Sequence, residues 1–377
     1  MSGRPRICFL VRSLGRGGAE RQALLLADRL AGRGWDVHVL SFYDLPPAGP
    51  VPAPGPAVSV AALGKKGRWD TLGFLFKLVR AINRVRPHIL HPYLPLPNAV
   101  AALVRPWLDA GRLVWGVRAT RPPWRDYDWG YGAVYGLERL LSGFPDLIIA
   151  NSVEAGRSLR RRAFRTRKID VIENGIDTAA FRRDAEGREQ VRRDWGILPG
   201  QRLIGLVGRI DPMKGHEVFL HAAQLALQKR GDLRFACIGD DPLGLRAGLQ
   251  GLAVRLDLGG RLQWSEGRND MPRVYSALDV LCSASVYGEG FSNAVGEAMA
   301  CEVPCVVTDV GDSARIVGDT GAVVPPGRAD ALAEAWLAPA PEASPELGRR
   351  ARIRVQERFS VDRLVASTDR ALRNLLS

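Results

Sequence analysis

Short, uniformly apolar runs alternate with amphipathic stretches along nearly the whole chain. Residues 7–11 are apolar throughout, a glycine-rich turn follows at 15–18, and residues 19–30 repeat apolar positions at helical spacing. A second apolar run at 37–41 completes a strand–helix–strand opening. Further strands are predicted at 88–91, 114–117, 147–150 and 169–172, a helix at 72–85, and a Pro-, Gly- and Ala-rich loop at 45–58. A polar stretch at 178–200 interrupts the pattern, which then restarts. Strands at 203–207, 233–238, 262–264, 280–282 and 305–308 alternate with helices, the clearest at 217–229. A last helix, 361–376, follows a break at Phe359-Ser360 and offers Leu364, Val365, Leu372 and Leu375 or Leu376 for packing. Apolar strands each followed by a helix predict an α/β protein with two mostly parallel, doubly wound, Rossmann-like sheets. Ligands of such sheets sit beyond the carboxyl ends of the strands, and two facing sheets make a cleft.

Length supports the same division, because 377 residues exceed what one hydrophobic core ordinarily organises. No apolar run approaches the roughly 20 residues that span a bilayer, and residues 7–11 are too short for a signal-peptide core. Five scattered cysteines, an odd number, point to a reducing, cytoplasmic compartment. Charge is less even. Residues 1–170 hold 27 Lys/Arg against 12 Asp/Glu, and the remainder 26 against 28, so the first half carries the whole excess of +13. Its densest run is Arg157, Arg160, Arg161, Arg162, Arg165, Arg167 and Lys168. Such a half implies an anionic partner surface. Between 115 and 135, Trp115, Trp124, Tyr127, Trp129, Tyr131 and Tyr135 interleave with Arg118, Arg121 and Arg125. That mixture suits the headgroup layer of a membrane, and its rings stack equally on sugars. Peripheral attachment to the inner face of the cell membrane is expected, and no nucleic-acid partner. Oligomeric state is not readable.

The richest stretch for chemistry is Glu289-Gly290-Phe291-Ser292-Asn293-Ala294-Val295-Gly296-Glu297. A helix is predicted to start near Ser292 or Asn293, either of which can cap it. Its first amides favour a phosphate, while carboxylates nearby suit hydroxyl donors. A ligand with both features is a nucleotide-activated sugar. Gly208-Arg209-Ile210-Asp211-Pro212-Met213-Lys214-Gly215 leaves another apolar strand. Arg209 as a bidentate fork and Lys214 as a point charge suit the two phosphates of a departing diphosphate. Gly239, at the end of the 233–238 strand, and Arg268, after the 262–264 strand, are expected to line the ligand, Arg268 against a base ring. In the first half, Gly17 and Gly18 allow close approach of an anion to the backbone. His91 ends a strand on the ligand side, and Arg121 and Trp124 lie in the aromatic segment; all three are candidates for sugar or acceptor. Asp126-Tyr127-Asp128 matches a metal-chelating aspartate pair only superficially, since no strand precedes it, and the histidines show no zinc spacing. No metal site and no cofactor beyond a nucleoside-diphosphate sugar co-substrate are expected. A G-x-S-x-G elbow is missing, which removes support for hydrolase chemistry.

These residues resemble glycosyltransferase family 4, retaining enzymes of GT-B fold, over nearly the whole chain. The resemblance rests on Gly17-Gly18-Ala19-Glu20, Asn151-Ser152, Asn174-Gly175-Ile176-Asp177, Gly208-Arg209-Ile210 with Lys214-Gly215, and Glu289-Gly290-Phe291 with Glu297-Ala298-Met299. It implies an acceptor-binding domain at 1–175, a donor-binding domain at 176–360, and a final helix, 361–377, packed back on the first. It implies that Arg209 and Lys214 hold the donor diphosphate, Glu289 the donor-sugar hydroxyls and Glu297 the ribose. Backbone amides of Phe291, Ser292 and Asn293 would add contacts, and Asn174 would lie near the crossing between domains. The chain departs from the family at Arg118, close to where many relatives carry a histidine beside the donor sugar. That departure implies a changed partner for the sugar's primary hydroxyl, a different sugar, or an acceptor carrying phosphate.

The expected activity is metal-independent transfer of a hexosyl unit from a UDP- or GDP-sugar to a hydroxyl of a lipid-linked saccharide, as in surface-polysaccharide assembly. A UDP-N-acetylhexosamine 2-epimerase is the nearest enzymatic alternative. A basic nucleic-acid-binding module is the alternative from another class.

Overall fold

The computed structural model describes residues 3–15, 17–45, 55–67, 69–118, 120, 129–165, 168–338 and 345–377. The chain divides into two compact units, one comprising Met1–Gly175 with Val361–Ser377, the other Ile176–Ser360.

Unit 1 contains seven strands, β1 (Arg6–Val11), β2 (Asp36–Ser41), β3 (Val58–Ala62), β4 (Ile89–Pro92), β5 (Arg112–Val117), β6 (Leu147–Ala150) and β7 (Ile169–Val171). Its helices are α1 (Gly18–Ala31), α2 (Leu72–Val85), α3 (Pro95–Val104), α4 (Trp129–Leu140) and α5 (Val153–Arg161). The strands form one sheet in the order β3-β2-β1-β4-β5-β6-β7, with each neighbouring pair parallel. Alternation along β1 shows why the run is apolar on both faces. Ile7, Phe9 and Val11 enter one core with α1 residues Ala23, Leu26 and Leu30. Cys8 and Leu10 enter the other with Phe74, Leu78 and Ile82 of α2.

Unit 2 contains β8 (Arg202–Val207), β9 (Leu233–Ile238), β10 (Leu262–Ser265), β11 (Val280–Ser283), β12 (Cys305–Thr308) and β13 (Gly321–Val324). Between and after them run α6 (Ala185–Asp194), α7 (His216–Leu227), α8 (Arg246–Arg255), α9 (Met271–Ala277), α10 (Asn293–Ala300), α11 (Ser313–Val317), α12 (Ala329–Leu337) and α13 (Pro345–Arg358). The sheet order is β10-β9-β8-β11-β12-β13. Here too alternate residues diverge: Ala236 and Ile238 pack in one layer, Phe235 and Cys237 in the other. Phe219, Phe235 and Trp336 stack edge-on in that second layer, with ring centroids 5.3 to 5.9 Å apart. Burying one such ring contributes roughly 1.5–3 kcal/mol.

A last helix, α14 (Val361–Arg373), belongs to unit 1. It adds Leu364, Val365 and Leu372 to the core beneath α1, and its Asp369 accepts a hydrogen bond from the Trp35 indole at 2.7 Å.

Three elements depart from the pattern read in the sequence. β3 begins at Val58, where the predicted loop ends, and β13 was not predicted; both are edge strands in which a single residue is buried. An edge strand carries little apolar signal because one flank and much of both faces meet solvent. α6 lies inside the polar stretch, with only Gly187 and Val191 buried. Its support is ionic instead: Asp184 caps it through Gly187 N at 2.8 Å, and Arg188 and Arg192 both reach Asp279, at 2.5 and 2.9 Å.

Candidate functional site

In unit 2 the order of strands reverses at β8, which has β9 on one side and β11 on the other. At such a reversal the loops leaving the two strands diverge and open a crevice. Arg209 and Lys214 follow β8, and Glu289 follows β11. The two loops are tied by their backbones, Val286 N donating to Met213 O at 2.9 Å. Gly215 makes the approach possible: it has φ 69°, and a Cβ there would lie 2.0 Å from the Ala284 carbonyl oxygen.

Lys214 Nζ donates to Glu289 Oε1 at 2.5 Å, and the Ser285 hydroxyl donates to the same oxygen at 2.7 Å. Glu289 is only 5% exposed. Burial pushes its carboxyl up, but the Lys214 charge and hydrogen bond, Ser285 and the Arg209 charge outweigh burial and hold it below its ordinary value. An ammonium has three donors, so Lys214 can serve Glu289 and an anion together. Arg209 lies beside Asp211 at 3.4 Å with more than half its side chain exposed.

α10 starts at Asn293 with Ser292 in the cap position, but the Ser292 hydroxyl makes no capping hydrogen bond. The expected side-chain cap is therefore corrected: the first-turn amides are not taken by that hydroxyl. Phe291 turns inward, its ring 5.4 Å from that of Phe359, and Gly290 O accepts from Asp312 N at 3.0 Å. Glu297, one turn inside α10, is buried and accepts from the Tyr275 hydroxyl at 2.7 Å. Gly239 is a packing glycine, since a Cβ would lie 1.9 Å from the Gly208 carbonyl oxygen. The Arg268 guanidinium is held flat by a two-pronged bond to Asp270 at 2.8 and 2.6 Å. Ser285 and Tyr275 were not singled out from sequence. Ser285 stands four residues before Glu289, a findable signal; Tyr275 lies 22 residues from Glu297 and offers none.

Unit 1 reverses at β1, flanked by β2 and β4. Gly17 and Gly18 follow β1, where Gly17 is the cap position of α1 and the Glu20 carboxylate folds back over it. His91 is fully buried, its Nδ1 2.7 Å from Val114 O, with Phe9 and Tyr93 rings against it at 5.4 and 4.8 Å. Burial, then the Arg118 charge, lower its pKa to about 3 against a weaker pull from Val114. The sequence places it at the ligand side of β4; the structure gives its ring to the core. Leu94, two residues after β4, has φ 75° and ψ 162°, a conformation costing a non-glycine residue about 1–3 kcal/mol. Arg118 and Asn174 come together, Nη1 to Oδ1 at 3.2 Å. Gln22, which sequence reasoning missed, locks the next residue: its amide bonds both Gly175 O and Gly175 N, at 2.7 and 3.2 Å.

Arg121, Trp124, Asp126 and Asp128 lie outside the described residues. Of the interleaved aromatics, Trp115 and Tyr135 are buried rather than facing outward. Among the described residues, exposed aromatics of unit 1 include Trp69, 84% exposed, and Phe76, 68% exposed. All five cysteines are buried and unpaired. Among the described residues, no helix is long and apolar enough to cross a membrane, and no three His, Cys, Asp or Glu side chains are grouped to hold a metal ion.

Two family models match the chain, "Glycosyltransferase Family 4" over residues 16–180 and "Glycosyl transferases group 1" over residues 201–338. Curated relatives include the D-inositol 3-phosphate glycosyltransferases of Segniliparus rotundus, 32% identical over 60% of this chain and 53% of that protein, and of Pseudarthrobacter chlorophenolicus, 30% identical over 59% and 54%. The chain thus spans about half the length of the curated relatives it matches. Among solved structures, Anabaena HepE in complex with UDP-glucose superposes with a TM-score of 0.83 at 20% identity, covering 98% of this chain and 99% of that one. Sucrose-phosphate synthase from Thermosynechococcus elongatus gives 0.83 at 23% identity, covering 99% of each. At such identities the likeness concerns the fold, and the fold is of GT-B type: two Rossmann-like α/β domains in one chain. The chain thus has a GT-B fold and is similar to the family 4 and group 1 glycosyltransferases over the two matched segments.

Proposed function

We propose that this protein is a retaining, metal-independent glycosyltransferase that moves a hexosyl unit from a nucleoside-diphosphate sugar to a hydroxyl of a lipid-linked saccharide or related acceptor. Unit 2 takes the donor and unit 1 the acceptor. The observation that carries this reading is the pairing of Lys214 with Glu289 across the β8/β11 reversal, beside Arg209 and the start of α10. It brings a lysine and a carboxylate, groups suited to phosphate and to hydroxyls, to one point.

In the proposed reaction the bond between the anomeric carbon and the phosphate oxygen breaks, and its electron pair leaves with the diphosphate. Arg209, Lys214 and the first amides of α10 stabilise that growing charge. A bond from the acceptor oxygen to the anomeric carbon forms on the same face. The hydroxyl proton passes to a leaving phosphate oxygen. Glu289, oriented by Lys214 and Ser285, reads the sugar hydroxyls. Two cations supply the charge compensation that a divalent ion gives elsewhere. HepE, described in complex with UDP-glucose, supports UDP-sugars as the first donors to try.

The test supplies UDP-, GDP- and ADP-hexoses with a polyprenyl-diphosphate saccharide and reads the product anomer by NMR. Transfer with the donor's configuration is expected. Conversion of UDP-N-acetylhexosamine to its 2-epimer without acceptor would replace this reading with the epimerase.

Peripheral attachment to an anionic membrane is part of the proposal. It is supported by the charge excess of unit 1 and by α2, whose exposed Leu72 and Phe76 are accompanied by Lys77 and Arg80. In vesicle flotation, binding is expected with anionic lipid and to fall several-fold in Trp69→Ser/Phe76→Ser. Equal flotation with zwitterionic vesicles removes it.

A further inference from the structure

Four neighbouring strands of unit 1 each end on a polar residue: Tyr93 after β4, Arg118 after β5, Asn151 after β6 and Asn174, three residues past β7. Carboxyl ends of adjacent parallel strands converge on one patch. The contacts bear this out. The Arg118 guanidinium lies over the Tyr93 ring at 4.1 Å, donates to Asn174 Oδ1 at 3.2 Å, and the Asn151 amide donates to Arg118 O at 3.2 Å.

Charge is not balanced in this patch. Arg118 is 7% exposed, and Tyr93, Asn151 and Asn174 less so. Its neighbours are an aromatic face and a neutral amide, and among the described residues no carboxylate pairs with it. Arg118 Nε, Tyr93 Oη and Asn151 Oδ1 are buried without a hydrogen-bond partner. The other buried arginine among the described residues, Arg202, lies in the field of two carboxylates, Asp279 and Asp232, and half-buried Arg192 pairs directly with Asp279. A desolvated guanidinium without a counter-charge is costly unless a ligand supplies one. Its planar fork matches the oxygens of phosphate and carboxylate. Arg118 is the most exposed of the four.

We propose that Arg118, with Tyr93, Asn151 and Asn174, forms an oxyanion-reading subsite that makes unit 1 specific for a substrate bearing a phosphate or carboxylate group. The inference refines the transferase reading by giving the class of substrate that unit 1 accepts, and the oxyanion contact itself stands on unit 1 alone. Arg118 is a specificity residue: it holds the anionic substituent, with the unpartnered Tyr93 and Asn151 atoms buried beside it.

Calorimetric titration of the full chain with glucose, glucose 6-phosphate and glucuronate, with and without saturating UDP, tests this. At least one anionic probe is expected to bind tenfold or more tightly than glucose, and which one separates phosphate from carboxylate. Arg118→Met should lose that preference at least tenfold, and Arg118→Lys should retain part of it. Asn174→Asp places a carboxylate within reach of Arg118, so it should abolish anion binding while raising Tm. This second variant keeps the test open where Arg118→Met fails to fold. No preference for either anion over glucose, or unchanged preference in folded Arg118→Met or in Asn174→Asp, overturns the subsite. Wild-type protein that binds the anionic sugar in an Arg118-dependent way but never UDP would retain the subsite and remove the donor reading.

Discussion

Replacing Lys214 by alanine is expected to lower kcat by about two to three orders of magnitude, the usual cost of one lost donor to a developing oxyanion. The loss should appear in kcat more than in KM, since charge grows on the diphosphate only as the sugar departs. A second effect accompanies it. Without Lys214, the buried Glu289 carboxylate loses its ion-pair partner, at about 1–3 kcal/mol of stability. The pH dependence changes with it. In the wild type, Glu289 has a lowered pKa, so its contribution is present above its ordinary pKa of 4.5 and fades as pH falls. In Lys214→Ala the strongest opposition to burial is gone, and stability should instead fall as pH rises. The double variant Lys214→Ala/Glu289→Gln should recover stability without recovering turnover. Steady-state kinetics and thermal denaturation across pH check both halves, and near-normal turnover in Lys214→Ala would remove this residue from the reaction.

Gly215→Ala should be strongly damaging although it adds only a single methyl group near the site. The residue is left-handed, φ 69° and ψ 34°, which costs an L-residue about 1–2 kcal/mol. The added carbon would also sit 2.0 Å from the Ala284 carbonyl oxygen, which is backbone and cannot rotate away. A total above about 3 kcal/mol corresponds to a fall of about 10 °C in the melting of a unit this size. Donor affinity should drop as well, because relief requires parting the β8 and β11 loops. Gly215→Asn separates the causes: asparagine tolerates the left-handed region but still carries the offending carbon. Equal damage in both variants assigns the effect to the contact; a variant as stable as wild type refutes it.

Particular residues show what could be read beforehand. β1 and β8 were plain because residues 7–11 and 203–207, covered on both faces, carry no polar side chain, and the Gly- and Arg-bearing loops after them stood out as strand exits. β3, β13 and α6 escaped notice because two are edges and the third is anchored by arginines rather than by an apolar face. Arg209, Lys214 and Glu289 were individually visible at strand exits. That Lys214 and Glu289 touch was not, since 75 residues separate them and only the crossover of β11 to the far side of β8 joins them. His91 illustrates the converse. Position along a strand was readable, but whether its imidazole met solvent or Phe9 and Tyr93 depended on neighbours distant in the sequence. Ser292 had the right chemistry and place for a cap, yet its hydroxyl does not bond the helix, which no local pattern encodes.

The placement of α14 has a bearing on how the protein is made. Leu364, Val365 and Leu372 fill the core beneath α1, so the N-terminal half cannot seal its interior when residue 175 leaves the ribosome. All of unit 2 emerges before that missing wedge does. The part translated first is therefore completed second, and a nascent chain stalled before residue 361 would display an open greasy seam along α1 for chaperones to cover.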